Sequence, residues 1–227
     1  IALTSGTSYL NDPRFYQSKL KIKAHSLDYE KYLNIKNKKN KKLHGLSVDY
    51  AVYIDENITG HQDNVEMSLS QPTYPENFFP KLETFFNIIE KNFGMKVVIA
   101  SYPVGKNIFK DYLKNKSFKN VTPELIKNSK LVLVHATTSI SFAVLWNKPI
   151  LFLTNDQIKK SWYGDFIKAP AHFLKSPLIN IDNIRKRDLI LSVKNNNYNE
   201  YKENYIKSSE SPEISVWQIL YRTLKGI

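Results

Sequence analysis

The chain has 227 residues, a formal charge of +12 and no cysteine, enough for one or two domains with a buried core. The lack of thiols excludes a disulfide framework, a thiolate metal site and a cysteine nucleophile. No apolar run approaches the roughly 18–20 residues of a membrane span, and no secretory signal pattern is present. An apolar content of 42% with 13% aromatic residues reads as globular, not disordered. Much of the positive excess sits in Lys36-Asn37-Lys38-Lys39-Asn40-Lys41-Lys42, which reads as a solvated linker. The remainder is either lysine-rich codon usage or attraction to an anionic surface, lipid before nucleic acid, since no nucleic-acid motif accompanies it.

In chain order, Ile1 to Thr4 reads as the close of a strand, as expected of a fragment of a longer protein. Ser5 to Ser8 is a polar turn, and Leu20 to Ala24 a short alternating strand. Ser26 caps a short helix that carries Glu30 in its first turn. Beyond the lysine linker, strands and helices alternate. Val48 to Ile54 is a β-branched and aromatic strand. Pro75 to Phe93 places Phe78, Phe79, Leu82, Phe85, Phe86, Ile89 and Phe93 on a helical period, with Gly94 as its stop. Met95 to Ala100 and Leu131 to Val134 are apolar runs suited to strands buried on both faces. Between them Thr122 caps a short helix with Pro123 at its first position. Thr138 to Trp146 is an apolar helix, Ile150 to Leu153 a fourth strand and Leu178 to Ile181 a fifth. A final helix spans Ile214 to Leu224, after Pro212.

This alternation predicts an α/β fold: a Rossmann-like parallel sheet with helices on both faces. Residues 1–45 read as the end of an N-terminal domain and its hinge, and 46–227 as the Rossmann-like domain with its C-terminal helix. Ligands of such sheets bind beyond the carboxyl ends of the strands. That rule selects Asp55-Glu56-Asn57 with His61 and Asp63, then Ser101-Tyr102-Pro103-Val104-Gly105, then His135-Ala136-Thr137-Thr138-Ser139, and Thr154-Asn155-Asp156.

The third segment is the most informative, because a helix start with three hydroxyl residues suits a phosphate. The plainer reading of Thr137, Thr138 and Ser139 is helix capping. His135 is expected either to polarise a substrate group or to bond a neighbouring backbone. One carboxylate of Asp55-Glu56 can take a proton from a hydroxyl, against a turn Asp with a solvated Glu. His25, His44 and His172 are isolated, and no zinc spacing occurs, so no metal site is expected. A Walker loop, a glycine-rich dinucleotide turn and a nucleophile elbow are also missing.

Leu131 to Leu153 (LVLVHATTSISFAVLWNKPILFL), preceded by Thr122 to Lys130 (TPELIKNSK), resembles the strand, Ser/Thr turn, helix and Lys-Pro strand of bacterial GT-B glycosyltransferases. More narrowly it is similar to surface-polysaccharide (capsule and lipopolysaccharide) biosynthesis proteins and to CMP-sugar-using sialic acid and Kdo transferases. Those enzymes carry an acidic pair, a His-Pro dipeptide and a Ser/Thr pair. The resemblance places these on Asp55-Glu56, on Tyr102-Pro103 and on Thr137-Thr138-Ser139. Tyr102 stands where the family has a donor-contacting His, and Asn57 where it has Gly.

The resemblance covers roughly residues 48–182. It implies catalytic Asp55, Glu56 and His61, and nucleotide or phosphate contacts from Tyr102, Pro103, Glu124, His135, Thr137, Thr138 and Ser139. It also implies a CMP- or UDP-linked sugar donor with no further cofactor, a glycan or lipid-linked glycan acceptor, and a cytoplasmic protein in peripheral contact with the inner membrane. Two alternatives share the fold: a UDP-sugar epimerase, and a non-catalytic nucleotide- or glycan-binding subunit of a polysaccharide assembly complex.

Overall fold

A computed structural model describes residues 1–226 apart from 10–12, 39–45, 47–48 and 105–106, and all their side chains except those of Phe15 and Lys186. Val48, His44, Gly105 and the linker residues Lys39, Asn40, Lys41 and Lys42 therefore lie outside the described residues.

Two short strands, β1 (Ala2–Thr4) and β2 (Lys21–Lys23), pair in parallel at the N-terminal end. Helix α1 (Leu27–Lys36) follows, with the Ser26 hydroxyl accepting the Tyr29 N–H as its cap. The main sheet begins with β3 (Tyr50–Ile54), which leads through a short α2 (Gln62–Glu66) into the long α3 (Pro75–Phe93). Then come β4 (Lys96–Ser101), β5 (Ser117–Lys119), α4 (Thr122–Asn128), β6 (Leu131–Val134), α5 (Ile140–Leu145) and β7 (Ile150–Thr154). The chain continues through α6 (Asp156–Lys160), α7 (Gly164–Phe173), β8 (Leu178–Asn180), α8 (Asn195–Tyr201) and α9 (Val216–Lys225).

Among the described residues the main sheet has six strands in the order β5-β4-β3-β6-β7-β8, every neighbouring pair parallel. The chain winds outward from β3 to one edge, then returns to β6 and winds to the other. This is the doubly wound Rossmann-like order, and its reversal between β3 and β6 opens a crevice at their carboxyl ends. The edge strand β5 carries no sequence signal: its three residues hold one apolar side chain, and a 3-10 turn over Ile108–Asp111 precedes it where a helix would be expected.

The central strand ties the two helical layers together. Side chains three residues apart on a strand point to opposite faces. Accordingly Tyr50 donates its hydroxyl to the Leu125 carbonyl of α4, while the Tyr53 ring packs 5.4 Å from Phe86 of α3. Residues 50–54 are all buried, as are Leu131–Val134 and Ile150–Thr154, which is why these strands read as unbroken apolar runs. Helix α3 matches its expected bounds, and Gly94 closes it at φ 65°, a left-handed conformation that glycine adopts without steric cost.

Three helix starts differ from expectation, the last being α9, which begins at Val216 behind its Ser215 cap and not at Ile214. Helix α4 is preceded by Val121 with no side-chain cap, so Thr122 is its first residue and Pro123 its second. Helix α5 begins at Ile140 instead of Thr138, because Thr138 and Ser139 form a turn closed by the Ile140 N–H on the Thr137 carbonyl, and the Thr137 hydroxyl accepts the Ser139 N–H.

A second, small core joins the chain ends. Ile22 and Ala24 pack with Ile219 of α9, whose start is fixed by a reciprocal cap between Ser215 and Gln218. Tyr29 of α1 belongs instead to the core of the main sheet. Among the described residues, no helix is long and apolar enough to cross a membrane.

Candidate functional site at the switch point

A cleft of about 670 Å³ lies at the carboxyl ends of β3, β4 and β6, within the usual range for small-ligand sites. Asp55, Glu56, His61, Tyr102, Pro103, Thr137, Thr138 and Ser139 all line it. Residues 55 and 139 are thus brought together by topology alone. Thr154-Asn155-Asp156, the fourth segment chosen by the strand-end rule, stays out of the cleft. Asn155 caps α6 through the Ile158 N–H, and the Asp156 carboxylate accepts from Asn180 on the β8 side.

Asp55 follows β3 directly, and its backbone N–H extends the ladder to the Ala100 carbonyl. One carboxylate oxygen accepts the Asn57 N–H at 3.0 Å and the other the Tyr102 N–H at 3.3 Å, bridging the ends of β3 and β4. Burial raises its pKa, partly offset by these two donors. Each oxygen keeps acceptor capacity. Asn57 then turns the chain at φ 50° and bonds the Gly60 carbonyl. Asparagine is among the few non-glycine residues that tolerate this conformation, so the turn does not require glycine here.

Glu56 is differently placed. Its two oxygens accept the backbone N–H groups of His135 and Ala136, each at 3.0 Å, and the Tyr163 hydroxyl at 2.5 Å. A carboxylate of the chain itself therefore occupies the first two amides after β6. Burial pushes its pKa from 4.5 up to about 7, against the pull of those three donors. The Tyr163 phenol is raised in turn by burial and by the charge of Glu56.

His135 lines no part of the cleft. It is fully buried, its Nδ1–H donating to the Leu153 carbonyl at 2.8 Å and its Nε2 accepting from Tyr53 at 3.2 Å. Desolvation lowers its pKa to about 4, so it is a neutral structural ring near pH 7. Of its two expected roles, the backbone-bonding one holds. Glu124 also stays outside the lining, where Thr122 stands instead.

The beginning of α5 differs from a plain dipole site. The helix has only six residues, and Glu56 has taken two of the turn amides. What remains is short-range: no acceptor among the described residues takes the N–H groups of Thr137 and Thr138, and three hydroxyls stand beside them.

Opposite this turn, His61 and Tyr102 pair. Their rings lie 5.1 Å apart, with His61 Nε2 and the Tyr102 hydroxyl at 3.0 Å. The Asp63 N–H donates to His61 Nδ1 at 3.3 Å. In a neutral ring that leaves the proton on Nε2, where it donates to the phenol oxygen, so the phenolic O–H is free to point into the cleft. Burial raises the Tyr102 pKa, with Asp63 and Asp55 adding to the effect.

Sequence reasoning missed the far wall, Trp162, Tyr163 and Phe166. One local signal marks it. Gly164, directly after the aromatic pair, would place a Cβ within 2.8 Å of the Ile158 carbonyl, so only glycine permits α7 to start so close behind α6.

No protein-family model matches the chain, and no curated protein matches it. Among solved structures it is similar to the crystal structure of the glycotransferase of kitacinnamycin, with a TM-score of 0.35 and 11% identity. That match covers 72% of this chain and 39% of the other, so the chain spans less than half of that protein's length.

Proposed function

We propose that this chain is the nucleotide-binding part of a glycosyltransferase that moves a sugar, sialic acid- or Kdo-like, from a CMP- or UDP-linked donor to a bacterial surface glycan. The observation that carries this reading is the cleft itself. A carboxylate with acceptor capacity left, a phenolic donor and a turn whose Thr137 and Thr138 amides have no acceptor among the described residues line one cleft at the switch point of a doubly wound sheet. The sequence resemblance of Leu131 to Leu153 supports the same assignment.

In this reading the donor phosphate rests on Thr137, Thr138 and Ser139, and the Tyr102 O–H donates to the oxygen that leaves with the nucleotide. Asp55, raised by burial, takes the proton of the acceptor hydroxyl. The acceptor oxygen bonds the anomeric carbon as the bond to phosphate breaks, and its electron pair leaves on the nucleotide. Glu56, already engaged by three donors, positions the turn and takes no proton from substrate. His61 orients Tyr102. The net charge of +12 supports work on lipid-linked glycans at the anionic inner leaflet of the membrane.

The test is thermal unfolding with CMP, CDP, UDP and GDP, since a ligand that binds only the folded state raises the melting temperature. One or two of the four should do so. No shift from any of them at millimolar concentration would overturn the reading. A nucleotide shift without turnover on any glycan would favour a non-catalytic binding subunit, a reading that the double tether on Asp55 also favours.

A further inference from the structure

A second cleft, about 630 Å³ in volume, lies behind the Ser/Thr turn. It shares Ala136, Thr137, Thr138 and Phe166 with the first, so Phe166 stands as a ridge between them. Phe166 is 61% exposed, a high value for a phenylalanine stacked on Tyr163. One wall is a single face of α7, where Asp165, Ala169 and Phe173 recur at every fourth position. Tyr201 and Tyr205 form the other, on α8 and the π-helical turn Lys202–Ile206 that continues it. Such turns are rare and often mark functional positions.

The lining chemistry narrows the ligand. Phe173 meets Tyr201 at 75° and Tyr205 at 72°, and the two tyrosines meet at 52°. No two of these rings are parallel, so they build a corner instead of the slot a flat heteroaromatic base would fill. The polar groups are the hydroxyls of Thr137, Thr138, Tyr201 and Tyr205 and the carboxylate of Asp165, which is paired with Lys168 at 3.1 Å. The rim therefore offers hydrogen bonds without unbalanced charge, as suits a neutral ligand. A pyranose ring, with a C–H face and hydroxyls around its edge, meets both demands: apolar aromatic contact and a few placed polar partners.

We propose that the second cleft is a sugar-ring subsite for the glycan partner. The proposal rests on the glycosyltransferase reading for the identity of that glycan, though not for the binding itself. A ring held here reaches the shared turn at Thr137 and Thr138, on whose other side the donor phosphate is placed.

Saturation-transfer NMR on the full chain, with methyl β-galactoside, methyl α-glucoside, uridine and 1-octanol as separate probes, tests it. At least one glycoside should receive saturation. Ala169→Trp fills the second cleft from an exposed helix position that does not line the first. It should weaken glycoside binding by about tenfold or more, about 1.4 kcal/mol, while the nucleotide-induced thermal shift stays as in wild type. Phe173→Ala, checked by its own melting curve, should act in the same direction.

No transfer to either glycoside, or equal binding in Ala169→Trp, overturns the proposal. So does transfer to uridine or octanol that Ala169→Trp abolishes while glycoside transfer persists. Glycoside binding that Ala169→Trp removes, in a chain that no nucleotide stabilises, upholds the subsite and sinks the donor reading alone.

Discussion

The two sides of the cleft floor use the same residue types in opposite ways. At the junction of β3 and β6, Glu56 and His135 have every polar atom engaged and titrate far from their ordinary values. A few residues away, Asp55 is held by two backbone amides yet keeps acceptor capacity at the cleft wall, while His61 spends its ring nitrogens on the Asp63 amide and the Tyr102 hydroxyl. A raised pKa here does not by itself single out a reacting group, since burial raises Asp55 as well as Glu56. Burial alone shifts a pKa, whereas reactivity also needs an open approach.

The largest test of this contrast is Asp55→Asn. If Asp55 takes the acceptor proton, turnover falls about 100- to 10,000-fold while the nucleotide-induced thermal shift is kept. Unchanged turnover in a steady-state assay would remove Asp55 from the chemistry.

The two histidines give the next largest effect. His135→Ala leaves the Leu153 carbonyl and the Tyr53 hydroxyl without their partner inside the core. It should cost about 3–5 kcal/mol in urea unfolding. His61→Ala should cost less than about 1 kcal/mol of stability and act on nucleotide binding and turnover instead. Comparable losses of stability in both would erase the distinction.

A third test uses pH. Glu56 has a folded pKa raised from 4.5 to about 7, so the folded state holds the extra proton and stability falls as pH rises through that window. His135 has a folded pKa lowered from 6.5 to about 4, so the unfolded state holds the extra proton and stability rises with pH between those values. Each window is worth about 3 kcal/mol at most. Between about pH 4.5 and 6.5 these two slopes oppose and offset each other in wild type. Glu56→Gln removes one of them, and its stability should climb with pH over that range. A Glu56→Gln profile parallel to wild type would refute the assignment.

The smallest expected effect is at Asn57. With φ already at 50°, Asn57→Gly should change stability by less than about 1 kcal/mol, losing mainly the bond to the Gly60 carbonyl. Asn57→Val should cost more than Asn57→Gly, because a β-branched residue resists positive φ. Denaturant midpoints of the two variants check this.

What the amino-acid order disclosed follows from how local each cause is. The bounds of α3 were legible because a helical apolar period ran into a glycine, and β6 because four apolar residues in a row need burial on both faces. The positions of Asp55, Tyr102 and Thr137 to Ser139 at one sheet edge followed from strand polarity. Tyr163 was not legible: it reaches Glu56 across 107 residues of sequence, and nothing near it reports that partner. The role of His135 was hidden for a similar reason, since a strand-end histidine looks the same whether its ring turns to solvent or to Leu153. The start of α5 was misjudged because Thr and Ser serve equally as first helical residues and as turn residues, and the Thr137 hydroxyl settles the matter by bonding the Ser139 amide.

The buried ring of His135 also has a spectroscopic consequence. Its Nδ1 proton is sealed between the core and the Leu153 carbonyl, so it exchanges with solvent only when the layer between β6 and β7 opens. In a proton NMR spectrum it should persist near neutral pH as a slowly exchanging imidazole resonance. The lifetime of that single line after transfer to heavy water would then time the opening of the cleft floor in solution, independently of any ligand.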